Sequence, residues 1–276
     1  MAWQHQPVRR AHLAFLTGLP VATLGGLIGL GGAEFRLPLL TGLFGFTVRK
    51  AVPLNLAVSF VTLLVSLLIR TRTTPLADLA PHLDALLALL AGSMLGAYLG
   101  TGLAGRVSDR VLEGTVFVLL LGVGLLLLVE AFVPFTSSTQ DLSLLATLPL
   151  GVVIGTGIGV FSSLLGVAGG ELLIPTLLLV FGLNVKLAGT GSVLVSLPTV
   201  LTGLWRWTAR GAFEQRADLT GVVAPMALGS VFGALLGGVL LAFAPTGALK
   251  FGLGVVLLLS AAKSLRDARK KHAMGT

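Results

Sequence analysis

Apolar stretches of membrane-crossing length recur along the whole chain, and no polar interval between them is long enough to fold by itself. Ten can be drawn, over residues 13–31, 35–46, 51–69, 82–104, 111–135, 142–167, 172–183, 188–205, 219–243 and 248–262. A span needs roughly 20 apolar residues at about 1.5 Å each, so the second and seventh stretches are too short to cross unaided. Charged residues make up 11% of the chain against about 25% in a soluble domain. Within lipid every backbone polar group must be satisfied inside the segment, which favours helices. The expectation is an all-α polytopic protein, with residues 1–276 forming a single integral membrane domain.

The two short stretches occupy equivalent places in a duplicated pattern. Displacing the sequence by 137 positions aligns, without a gap, Gly18 with Gly155, Gly29 with Gly166, Gly32 with Gly169, Glu34 with Glu171, Pro38 with Pro175 and Phe44 with Phe181. The same offset aligns Ser59 with Ser196, Thr62 with Thr199, and Gly92, Gly96 and Gly100 with Gly229, Gly233 and Gly237. Leucine and glycine pairs arise readily by chance in such a composition; a Glu pair in register with a Pro pair does not. Two repeats are expected, at about residues 12–135 and 142–266, each of about five helical segments with a short or re-entrant pair.

Charge gives their relative orientation. The net charge of +8 would suggest nucleic acid in a soluble protein, but here the basic residues cluster in gaps between apolar runs and read as topology signals, with no nucleic-acid partner implied. With the N-terminus inside and the first two segments returning there, fourteen basic residues lie inside: Arg9, Arg10, Arg49, Lys50, Arg106, Arg110, Arg206, Arg210, Arg216, Lys263, Arg266, Arg269, Lys270 and Lys271. Arg70, Arg72, Lys186 and Lys250 lie outside. Treating the first two segments as one broken span gives 12 inside and 6 outside, which obeys the positive-inside rule less well. Each half then crosses an odd number of times, so the repeats are inverted and both termini are cytoplasmic. Ten full spans and six spans plus two hairpins give the same tally. The N-terminal apolar run lacks a small-residue cleavage site followed by a polar mature domain, and reads as a retained helix.

Inverted repeats with interrupted helices at matching positions are the architecture of secondary transporters, with the substrate near the midplane. The candidate site is Gly29-Leu30-Gly31-Gly32-Ala33-Glu34, repeated as Gly166-Val167-Ala168-Gly169-Gly170-Glu171. Glycines let the backbone turn, and the following helix starts with its positive dipole end at the turn, so an anion could dock at Gly31, Gly32, Ala33, Gly169 and Gly170. The alternative is a hinge that only lets helices pack closely. Glu34 and Glu171 could cap exposed amides or take up and release a proton in transport. Arg36, whose partner in register is Leu173, could pair with Glu34, snorkel to the headgroups or clamp an oxyanion.

Asn55, Ser59, Thr62 and Ser66, with Ser192, Ser196, Thr199 and Thr202, share a helical face by spacing. They suit either a pathway lining or interhelical hydrogen bonds. Gly92, Gly96 and Gly100 with their partners form packing ridges. Trp205-Arg206-Trp207 reads as an interfacial anchor, with a gate beside the pathway as the alternative, and Lys263 to His272 as a tail contacting anionic lipid. Zero Cys removes thiolate sites, and His5, His12, His82 and His272 lie at segment ends or in tails, so no metal or cofactor is implied. No paired base, nucleophile or metal constellation lies within the spans, which disfavours a membrane enzyme.

Gly29-Leu30-Gly31-Gly32 leading to Leu37-Pro38-Leu39, followed by Arg49-Lys50-Ala51-Val52-Pro53-Leu54-Asn55 and duplicated halfway along the chain, resembles the TauE/SafE family, also called the sulfite exporter or TSUP family. The resemblance implies secondary transport of a sulfur-containing anion such as sulfite, thiosulfate or an organosulfonate across the bacterial inner membrane. The partners expected are that anion, protons or another coupling ion, and membrane lipid, with a homo-oligomer and a monomer both left open by the sequence. An uncoupled anion channel is the alternative. The second half departs from the pattern at Ala168 and at Ser192, which stands where the first half has Asn55, so a symmetric site of identical ligands is not expected.

Overall fold

The computed structural model describes residues 7–103, 118, 121–122, 124–125, 128–129, 143–249, 251–256, 258–259 and 262. All regular elements among them are helical. The main ones in order are α1 (Pro7–Ile28), α2 (Ala33–Pro38), α3 (Val48–Thr73), α4 (Leu83–Leu103), α5 (Leu144–Leu165), α6 (Gly170–Leu179), α7 (Val185–Thr208) and α8 (Ala224–Phe243), the last entered through a short turn at Arg216–Asp218 and a π-helical turn at Leu219–Val223. A shorter apolar helix follows at Thr246–Val256. The fifth apolar stretch, the link between halves and the basic tail lie largely or wholly outside the described residues.

Among the described residues six helices are long and apolar enough to cross a bilayer; 22 residues, as in α1 and α5, reach about 33 Å. The two short stretches do not cross. Pro38, which lacks an N–H, ends the six-residue α2, and the chain widens into a π-helical turn at Leu39–Leu43. The equivalent α6 has ten residues. Leucines, valines and phenylalanines such as Leu16, Leu68, Val153 and Phe243 stand exposed around the outside, where lipid rather than water suits them.

Helix directions follow from local contacts. Residues 29–32 fold back along α1, since a Cβ on Gly32 would lie 2.7 Å from the Val21 carbonyl oxygen. Further along, Arg10 near the start of α1 donates to the Phe44 carbonyl at 3.2 Å. The first short segment is therefore a hairpin arm returning toward the end from which α1 set out. From there α3 runs beside α1, its Arg70 reaching the Gly26 and Leu27 carbonyls. After the 3-10 turn Leu76–His82, α4 runs back.

The closest helix contacts are α4 on α5 and α1 on α8, both through glycines. A Cβ on Gly92, Gly96 or Gly100 would come within 2.8 Å of the carbonyl oxygens of Val152, Thr156 and Val160 in turn. On Gly229, Gly233 or Gly237 it would run into the carbonyl oxygens of Phe15, Leu19 and Thr23 in turn. The two sets are the same contacts related by the repeat offset, with the halves exchanged. In both, residue numbers rise together, so α4 and α5 are parallel, and α1 and α5 run in opposite directions. Small residues let the backbones approach this closely without a hydrophobic driving force, as the spacing implied.

One end of the molecule gathers basic side chains. Arg10 and Lys50 lie over the Phe46 ring, and Lys50 pairs with Asp218 at 2.5 Å and donates to Gln215. At the end of α7, Arg206 lies over the Tyr98 ring at 4.0 Å, and Arg210 donates to the Thr101 carbonyl. Two sequence expectations change here. Arg70, counted as an outside loop charge, is fully buried within α3. Trp207, read as an interfacial anchor, is buried in the apolar cluster that also holds Val52, Leu56 and Val200, whereas Trp205 is exposed and stacks on Tyr98.

Candidate functional site

Both bends are built from left-handed glycines. Gly29, Gly31 and Gly32 have φ of 99°, 79° and 70°, and Gly166 and Gly169 have 69° and 79°. This region strains any residue with a Cβ. Ala168, in register with Gly31, keeps φ negative, since no described non-glycine residue has a positive value. The two bends thus differ in backbone path, which accounts for the tolerated alanine.

The bends meet each other. A Cβ on Gly170 would lie 3.0 Å from the Leu30 Cα and 3.2 Å from the Gly29 carbonyl oxygen, and one on Gly31 would lie 3.4 Å from the Ala168 Cβ. Gly31, Gly32, Ala33, Gly169 and Gly170 are all buried at this junction. Each half also reaches across to the other. Asn55 Nδ2 donates to the Gly166 carbonyl at 2.8 Å, while Ser192 Oγ donates to the Gly29 carbonyl at 3.3 Å. These two bonds are related by the same offset. Asn55 Nδ2 additionally donates to the Ala33 carbonyl at 2.7 Å, so its amide ties both bends together.

These side chains satisfy carbonyls and leave amide N–H groups to other partners. Asn55 and Ser192, expected among the substrate ligands, have their donors committed to the protein frame in this state. Ser59 and Thr62 are fully buried and both accept from Arg36, at 2.9 and 2.8 Å. Ser196, the counterpart of Ser59, is fully buried too. Arg36 itself has no exposed surface, which removes snorkelling from its open fates. It further donates to the Gly31 carbonyl and to Ser230 of α8. Glu34 and Glu171 are both buried at the starts of α2 and α6, and Glu34 acts electrostatically on Arg36.

Sequence reasoning missed Ser230 and its counterpart Ser93, although they too are partners in the repeat register. Arg70 was also missed as a buried group. It donates to the last carbonyls of α1 and to Thr190 Oγ1 of α7 at 3.3 Å, in a slot that exists because residue 189 is glycine. Away from the bends, a polar cavity of about 120 Å³ lies at the basic end, lined by Lys50, Leu54, Phe213, Glu214, Gln215 and Asp218 among others.

Six apolar helices of spanning length among the described residues, with two buried glycine bends in contact, define a polytopic helical membrane protein. The chain matches the family model described as Sulfite exporter TauE/SafE over residues 2–127 and 150–276. It belongs to that family, and the protein is accordingly a membrane transporter of the anion-exporting kind. No curated protein and no solved structure matches the chain.

Proposed function

We propose that the protein is an alternating-access carrier moving a small sulfur-containing anion, such as sulfite, thiosulfate or an organosulfonate, across the bacterial inner membrane. The two halves are inverted repeats, at about residues 12–135 and 142–266, and the anion binds where their bends meet, around Gly31, Gly32, Ala33, Gly169 and Gly170. Asn55, Ser59, Ser192 and Ser196 frame that site. The observation that carries the reading is the reciprocal pair of bonds, Asn55 to Gly166 and Ser192 to Gly29, which couples each bend to a long helix of the opposite half. Buried bends mean that solute reaches them only when one half tilts against the other, and such rocking is how inverted-repeat transporters expose a midplane site alternately.

Glu34 and Glu171 serve as the proton-carrying groups, since a carboxylate buried at membrane depth beside the solute is placed to exchange its charge against that of an arriving anion. The basic end faces the cytoplasm by the positive-inside rule, which puts both termini there, and the cavity beside Lys50 is the approach from that side. In proteoliposomes, a pH gradient should drive wild-type protein to accumulate sulfite uphill. The double variant Glu34→Gln, Glu171→Gln should carry sulfite only downhill. Uphill accumulation unchanged in the double variant would remove the coupling role. Downhill conduction alone in the wild type would make the protein an anion channel.

A further inference from the structure

At the buried position 36 the first half carries an arginine that the second half lacks, and the repeat register makes the difference readable. Positions 36, 62 and 93 of the first half correspond to positions 173, 199 and 230 of the second. On the side of the second bend two hydroxyls from opposite halves meet directly, Ser93 Oγ and Thr199 Oγ1 lying 2.7 Å apart, with the buried Leu173 in register with Arg36. On the side of the first bend the equivalent hydroxyls, Thr62 and Ser230, again one from each half, are bridged by the Arg36 guanidinium, whose Nη1 donates to both, at 2.8 and 3.4 Å. Its Nη2 donates to Ser59 Oγ and to the Gly31 carbonyl. Ser196, in register with Ser59, is fully buried and its Oγ has no hydrogen-bond partner. The second half therefore keeps the frame of this cage without its cation.

The guanidinium is not saturated. Nη1 and Nη2 donate to three hydroxyls and one carbonyl, all neutral, while the Nε–H has no hydrogen-bond acceptor although the residue has no exposed surface. A buried unpaired donor is uncommon and calls for a reason. The Nε–H and the neighbouring Nη2–H form one edge of the guanidinium fork, the geometry that takes two oxygens of a single anion side by side. That edge adjoins the Gly31 carbonyl, and so the first bend.

We propose that Arg36 is the single anion-binding cation of this carrier and that the site is one-sided: its Nε–Nη2 edge grips two oxygens of a sulfite or sulfonate group, while the Ser93–Thr199 seam stays shut. The inference rests on the transport reading above and adds a stoichiometry of one anion per cycle and a selection rule. On binding, the anion replaces Ser59 or the Gly31 carbonyl at Nη2, so the first bend is released as the solute arrives. A halide, which offers one centre rather than two, gains little from the fork.

The test uses the full-length protein in nanodiscs, with sulfite, methanesulfonate and chloride as probes in calorimetric titration, beside sulfite flux in proteoliposomes. Arg36→Leu installs the residue type that the second half carries at this position, Arg36→Lys keeps the charge without the fork, and Arg36→Leu with Leu173→Arg moves the guanidinium into the other cage. Arg36→Leu should weaken sulfite binding at least about 100-fold and Arg36→Lys at least about 10-fold, both with little change for chloride. The double variant should recover sulfite affinity to within about 10-fold of wild type. Wild-type sulfite affinity in folded Arg36→Leu overturns the proposal, and if that variant does not fold, equal affinity in Arg36→Lys does so. A double variant no better than Arg36→Leu overturns the equivalence of the two cages. Unchanged sulfite flux in Arg36→Leu would sink this site while leaving the carrier standing. Sulfite binding through Arg36 without any wild-type flux would sink the carrier reading and keep the site.

Discussion

Asn55→Ala removes the one side chain whose amide holds both bends, and the structure sets the size of the effect. Two bonds are lost, to Ala33 at 2.7 Å and to Gly166 at 2.8 Å, at a residue with no exposed surface. Interhelical hydrogen bonds in membrane proteins contribute about 0.6 kcal/mol on average and up to about 1.7 kcal/mol, so the pair accounts for roughly 1–3 kcal/mol. The upper part of that range is expected because two buried carbonyls lose a donor and no water can replace it. Ser192→Ala removes a single longer bond, 3.3 Å to the Gly29 carbonyl, and should cost less than about 1 kcal/mol. Asn55→Asp keeps the shape but turns oxygen toward two carbonyl oxygens, and should be the most damaging of the three while the carboxylate is ionised. Denaturant unfolding in mixed micelles gives the ordering, and sulfite exchange in proteoliposomes gives the functional loss. An Asn55→Ala protein as stable and as active as wild type would refute the claim that this amide joins the bends.

Two further predictions concern packing and burial. Gly96→Ala and Gly233→Ala each drive a Cβ into a carbonyl oxygen of the facing helix, that of Thr156 and of Leu19, so each should lower stability by about 1–3 kcal/mol. Gly157→Ala meets nothing within 4 Å and should be silent in the same thermal unfolding series. Arg70→Met should destabilise by about 2–4 kcal/mol because the Gly26 and Leu27 carbonyls at the end of α1 lose a buried cationic donor. Arg72→Met, at an exposed position in the last turn of α3, should move the unfolding midpoint by an amount close to zero.

How much was legible in the chain differs from residue to residue. The short second and seventh stretches were visible as too short to cross, and they fold as α2 with its π turn and as α6. The glycine ridges declared themselves by spacing because helix periodicity puts residues four apart on one face. Arg70 was misread for a related reason. An arginine at the end of an apolar run looks like a loop charge, and only the arrival of the α1 carbonyls beside it turns the position into a buried binding slot. Trp207 likewise ends a span in sequence, yet in space it is buried as part of the apolar cluster that α3 and α7 share.

Read along its length, the chain already specifies a helical membrane protein in which a glycine-rich stretch followed by a glutamate recurs 137 positions on. Those properties are local or periodic, so hydropathy, backbone freedom at glycine and charge asymmetry express them position by position. Which carbonyl or hydroxyl each polar side chain meets emerges only in the packed molecule: Asn55 finds the opposite bend, Arg36 a hydroxyl 194 residues away, Arg70 the end of α1. Hydrogen-bond partners at that sequence separation depend on how the two halves dock. The docking is set by the sum of many small backbone contacts across the glycine ridges, and no single stretch of sequence encodes it.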